Sequence, residues 1–127
     1  MSILAIRGAT TVESNTKEEI LKETLNLMET IIKENNLDTD NMISMCFTMT
    51  NDLDAVYPSV AVRDLLNITD VPMLNYEEKY IQGSLRNCIR VMMYIDSNKT
   101  KKDIKHIYLN KAKDLRKDLD ICVLYLF

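Results

Sequence analysis

Of the five arginines in the chain (Arg7, Arg63, Arg86, Arg90 and Arg116), two stand where a charge is least expected. Arg7 falls in the middle of the apolar run Ser2 to Thr10, and Arg90 in the middle of Asn87 to Ile95. A guanidinium cannot shed its proton, and burying it unpaired is expensive, so something anionic must meet each one. Three sources remain open: a carboxylate of the chain itself, with Glu13 and Glu78 as candidates; water reached at a strand edge; or a bound anion. The chemistry such cations support is electrostatic work on a small carboxylate.

Other chemistries have little material. His106 is the single histidine, so a histidine-rich metal site or a conventional nucleophile–histidine pair has one residue to build on. Cys46, Cys88 and Cys122 are odd in number, lack metal-ligand spacing and lie in apolar surroundings, as reduced core thiols do. Only two glycines and two prolines are present, which excludes a glycine-rich phosphate loop or dinucleotide fingerprint. No metal and no cofactor is expected.

The elements that must position these residues can be read from periodicity. Ser2 to Thr10 alternates as a strand, with Ile3, Ala5, Arg7 and Ala9 on one face. Thr16 followed by Glu19 forms a capping-box pattern that opens a helix to about Asn35, with Ile20, Leu27, Met28 and Ile31 at helical spacing. Met42 to Thr50 alternates as a second strand, and Pro58 suits the first turn of a short helix through Leu66. Val71 to Asn75 is extended and belongs at a sheet edge because Pro72 cannot donate to a ladder. Asn87 to Ile95 is apolar on both faces, as a central strand would be. Thr100 to Lys117 fits helical spacing, yet Ile107-Tyr108-Leu109 fits a short strand equally well.

With 127 residues, 46% of them hydrophobic, the chain suits one domain over 1–127, including a tail at 118–127. A domain of this size has difficulty walling in a spacious active site alone, so a neighbouring subunit is expected to supply walls. A net charge of -3 provides no basic field for nucleic acid, and the longest apolar stretch, Ile121 to Phe127, is far too short to span a bilayer. The N-terminal residues carry no secretory pattern, so a cytoplasmic location is expected. The tail is expected to pack against its own or a neighbouring subunit.

Specific segments carry a family resemblance. They are Ile6-Arg7-Gly8-Ala9-Thr10-Thr11-Val12-Glu13, Ala61-Val62-Arg63, Cys88-Ile89-Arg90-Val91-Met92-Met93, His106-Ile107-Tyr108-Leu109, Lys111-Ala112 and Leu115-Arg116. The chain resembles the small monofunctional chorismate mutases of the bacterial trimeric AroH class. The resemblance implies an α+β fold, with a mixed sheet, helices outside and a pseudo-α/β-barrel homotrimer with active sites between subunits. It also implies the cofactor-free pericyclic rearrangement of chorismate to prephenate, a step in making aromatic amino acids.

By the same resemblance, Arg90 would bond the breaking ether oxygen and the side-chain carboxylate, which Arg7 and Tyr108 would also bind. Glu78 would take the ring hydroxyl, and Arg63 and Arg116 would attract or hold the ring carboxylate. Tyr57, Met73, Leu74 and Leu115 would shape the apolar wall, with Asn75 beside them. The sequence departs from the family pattern at Val60, where a lysine is familiar, at Asn75 (cysteine) and at Tyr57 (phenylalanine). Loss of a cation at position 60 should weaken capture more than the chemical step. Two other readings fit the arginines: a non-catalytic trimeric module binding a small carboxylate metabolite, and an enamine/imine deaminase-like enzyme.

Overall fold

The computed structural model describes residues 2–115 and the backbone of Val123–Leu126. The strands β1 (Ser2–Thr11), β2 (Met42–Thr50), β3 (Met73–Glu78), β4 (Cys88–Ser97), β5 (His106–Leu109) and β6 (Val123–Leu126) form one mixed sheet in the order β3-β2-β4-β1-β5-β6. β4 lies inside the sheet, antiparallel to both β1 and β2, and β3 occupies the edge, as the sequence predicts. The mixed α+β class is therefore observed. The long helix α1 (Lys17–Glu34) lies on one face of the sheet, and the opposite face is open.

The helix begins where Thr16 predicts: its hydroxyl accepts the Glu19 N–H at 3.2 Å. The reciprocal half of the capping box is not made. The Glu19 carboxylate instead accepts from the Glu13 backbone N–H at 3.4 Å, tying the β1–α1 turn together. Ile20, Leu27, Met28 and Ile31 pack from α1 onto Ile6, Phe47, Met45, Val91 and Met93, forming the buried core. Gly8 is what permits the close approach, since a Cβ there would lie 2.7 Å from the Ile31 Cδ1. At the other end, buried Asn35 donates to the Lys105 carbonyl (2.9 Å) and accepts the Lys105 N–H (2.8 Å), which fixes α1 to the entry of β5.

The ambiguous stretch resolves as strand. β5 pairs in parallel with β1 (Gly8 with Ile107, Ala9 with Tyr108) and is flanked by 3₁₀ turns at Lys101–Asp103 and Asn110–Asp114. Ladder pairing of the β-branched and aromatic residues outweighs the helical spacing of Ala112 and Leu115. The expected short helix after Pro58 is present, with a wide π-helical turn at Ala61–Leu65 closed by Leu66 N–H to Ala61 O at 3.2 Å. Of the tail, Val123–Leu126 is described and pairs with its own chain: β6 runs parallel to β5, pairing Ile107 with Leu124 and Leu109 with Leu126; the rest of the tail lies outside the described residues.

Candidate active site

Strand alternation and register decide which side chains meet. On the helix side stand Ile6, Gly8, Phe47, Val91 and Ile107; on the open side stand Arg7, Ala9, Thr48, Arg90, Met92 and Tyr108. The register aligns Tyr76, Thr48, Arg90, Ala9 and Tyr108 in one row across five strands. The next row holds Leu74, Cys46, Met92 and Arg7. Small Ala9 between Arg90 and Tyr108 leaves room for a ligand instead of filling the row. The result is a cleft of about 410 Å³ lined by Arg7, Cys46, Thr48, Glu78, Arg90 and Tyr108, with Gly8, Ala9, Val91 and Met92.

The charges of the cleft are unequal in number. Glu78, at the end of β3, approaches Arg90: its Oε1 lies 2.9 Å from the Arg90 Nε. That Nε is buried, and its N–H is not aligned on the carboxylate, so the contact is an ion pair rather than a formed hydrogen bond. The same Oε1 accepts a short hydrogen bond from the Thr48 hydroxyl. Arg7 is half-buried, and no carboxylate of the described residues lies within 4.0 Å of it. Of the carboxylates considered for these arginines, Glu78 meets Arg90, while Glu13 meets neither. Arg7 is held from behind, its backbone N–H donating to His106 Nδ1 at 3.0 Å. His106 thus orients a cleft strand, and its ring nitrogen is engaged as an acceptor.

Beside Arg90 on the same face, Ala9, Cys88, Tyr108 and Ala112 form a second buried cluster, against which Leu115 packs. Burial pushes the Cys88 thiol up to about 11, an effect that the nearby Arg90 charge only partly offsets, so Cys88 is a neutral packing group. The start of β4 is pinned by Asp52, which accepts the Asn87 N–H at 3.0 Å and pairs with Arg86 at 3.3 Å. Burial tends to raise the Asp52 pKa, but the Thr50 hydroxyl, the Asn87 N–H and Arg86 together hold it below the usual carboxylate value.

Of the residues singled out from the sequence, Arg7, Glu78, Arg90 and Tyr108 come together in this cleft, with Leu115 behind Tyr108. Leu74 stands on the same face, exposed, beyond Cys46. Met73 faces the other side and packs on the core. Asn75 is also on that side, its amide donating to Ser59 Oγ at 2.8 Å and accepting the Ser59 N–H at 3.3 Å. It lines a separate cavity of about 600 Å³ with Tyr57 and Tyr76. Arg63 lies on the exposed turn paired with Asp64 at 3.0 Å, and Val60 is part of the same turn. Arg116 lies outside the described residues. Cys46, expected from its apolar surroundings to be a core thiol, instead is half-buried and lines the cleft, and Thr48 was not singled out from the sequence; their signal was register with Arg90 and Met92, which a single strand does not display.

Known proteins resemble this chain in sequence and in fold. The family model for "Chorismate mutase type I" matches residues 3–119. The chain is 44% identical to chorismate mutase AroH of Bacillus subtilis (strain 168) over 121 residues, covering 95% of each. It is 33% identical to chorismate mutase AroH of Thermus thermophilus over 119 residues, 93% of this chain and 97% of the relative. The solved structure of a chorismate mutase from Clostridium thermocellum superimposes with a TM-score of 0.84 at 48% identity, covering 87% of this chain and 97% of that one. The chain belongs to the type I chorismate mutase family, and its activity is the isomerisation of chorismate to prephenate.

Proposed function

We propose that the open-face cleft is where chorismate rearranges, and that the sheet-borne cations do the chemical work. The observation that carries this is Arg7, half-buried in the cleft with no carboxylate partner among the described residues, beside Arg90 and Tyr108. A half-buried cation in that condition is a seat for an anion. In this reading Arg7 and Tyr108 bind the side-chain carboxylate of the substrate, and Glu78 accepts from the ring hydroxyl. Arg90 reaches both the side-chain carboxylate and the ether oxygen.

The reaction is unimolecular, and it needs no proton transfer or covalent intermediate. Binding an extended dianion at fixed points selects its compact reactive conformer, and that selection is one source of acceleration. As the ether bond breaks, negative charge grows on its oxygen, and a fixed guanidinium aimed there stabilises the transition state by about 3–4 kcal/mol. Cleft walls of Ala9, Met92 and Tyr108 keep the local dielectric low, which strengthens that interaction.

The proposal includes a homotrimer with sites between subunits and a pseudo-barrel of packed sheets. Ile3 (71% exposed), Leu74 (57%), Tyr76 (49%) and Tyr94 (40%) all stand on the cleft face of the sheet. An uncovered apolar sheet face of this kind favours association with further copies. Tyr57, Arg63, Met73 and Asn75 lie outside the lining of their own chain's cleft, and so would serve the cleft of a neighbour. Arg63 would then approach the ring carboxylate, together with Arg116. Cys46 and Cys88 are free thiols, which suits a reducing compartment such as the cytoplasm.

The test is the disappearance of chorismate with prephenate identified as product, in metal-free buffer, for the wild type and Arg7→Ala. Turnover by the wild type that collapses in Arg7→Ala supports the proposal. Undiminished turnover in the folded variant would move the chemistry elsewhere.

A further inference from the structure

Thr48 lies on β2, the strand that separates Glu78 on β3 from Arg90 on β4. It is in register with Arg90, and its hydroxyl donates to Glu78 Oε1, the same oxygen that the Arg90 Nε approaches to 2.9 Å. Two cationic or donor groups therefore compete for one carboxylate oxygen. The formed hydrogen bond on it belongs to Thr48, while the Arg90 N–H remains out of line. Left alone, a carboxylate beside a guanidinium turns to meet it in two parallel N–H···O bonds. Such a bidentate pair would occupy the donors of Arg90 that a substrate needs.

We propose that Thr48 is a positioning residue for the reaction: its hydroxyl holds the Glu78 carboxylate in place and keeps the Arg90 fork open for substrate. This inference rests on the reading of the cleft as the chorismate site. Thr48 need not touch the reacting atoms; it acts through Glu78. Its effect therefore depends on the negative charge of residue 78, whereas an ordinary packing role would not.

The test is a double-mutant cycle on chorismate turnover, with kcat and KM determined separately and folding checked by thermal unfolding. Thr48→Val keeps the shape and removes the hydroxyl, and Thr48→Ala serves in the same cycle if the valine variant does not fold. In the wild-type background Thr48→Val lowers kcat/KM by about tenfold, chiefly through kcat, while Thr48→Ser stays within about twofold of wild type. In the Glu78→Gln background the neutral amide does not draw the fork, and adding Thr48→Val changes kcat/KM by less than about twofold. An equal loss in both backgrounds, or a Thr48→Val enzyme as active as wild type, overturns the inference. Undiminished turnover in a folded Arg7→Ala enzyme would instead overturn the reading of the site, so the two failures are distinct.

Discussion

Replacing Arg90 by lysine keeps the charge of the cleft and removes the planar fork, so it separates electrostatics from geometry. In the structure Arg90 Nε lies 2.9 Å from the Glu78 carboxylate, which leaves the terminal guanidinium nitrogens for a substrate. A lysine has one ammonium group, and the nearest anion draws it to Glu78. The donor proposed for the breaking ether oxygen is then lost. Losing one preorganised donor to a developing oxyanion costs about 10²–10³ in turnover, or about 3–4 kcal/mol in the barrier. The expected outcome for Arg90→Lys is a fall of that size in kcat at saturating chorismate. Its thermal unfolding should stay near that of wild type, because the side chain packs only partly and keeps its ion pair. The assay is loss of chorismate absorbance with product identified, alongside a melting curve. A folded Arg90→Lys enzyme with kcat within about threefold of wild type would refute the assignment of Arg90 to the ether oxygen.

Other perturbations probe the scaffold. Because the folded-state pKa of Asp52 is lowered below 3.8, its contribution to stability is present above that value and is lost as pH falls through the folded pKa. Asp52→Asn should therefore cost about 1–3 kcal/mol at pH 7 by urea denaturation, a deficit that closes on acidification towards pH ~3; a deficit constant across that range would remove Asp52 as the pin of β4. In the native protein, Cys46, which lines the cleft, should be alkylated at pH 8, while buried Cys88, with its thiol pushed up to about 11, stays unmodified. Peptide mapping after iodoacetamide reads this, and equal labelling of the two would contradict the burial of Cys88. Gly8→Ala places a Cβ 2.7 Å from Ile31 Cδ1 and 3.2 Å from Leu27 Cδ1, and should destabilise by about 1–3 kcal/mol. Adding Ile31→Val removes the nearest atom and should restore most of the loss; no recovery would place the strain elsewhere.

Much of the fold was legible because local and long-range preferences agree. Thr16, the Ile20–Ile31 stripe and the alternation in β1, β2 and β4 each specify one element, and tertiary packing uses the same faces. The 100–117 stretch was not legible, because Ile107-Tyr108-Leu109 is too short to decide between helix and strand until β1 offers a partner. In the site, Arg7 and Arg90 were visible as charges misplaced in apolar strands. Thr48 and Cys46 were not, since an ordinary threonine and cysteine become cleft residues only through the pairing of β2 with β4. Met73 and Asn75 illustrate the complementary difficulty. Position in a motif does not reveal which face of an edge strand a side chain takes, and both turn away from the cleft of their own chain.

In the proposed oligomer, one subunit supplies the Arg7–Arg90 face and a neighbour supplies the Tyr57–Arg63 face. This sharing is tested most directly by mixing Arg90→Ala and Arg63→Ala subunits, differently tagged and co-expressed, and measuring kcat/KM for chorismate on the isolated mixed oligomer. If sites lie between subunits, every mixed trimer, whichever subunit is in excess, has about one cleft in three that draws both faces from unaltered positions, and activity should recover well above the mean of the two parents. A mixed oligomer no more active than that mean would contradict the shared site.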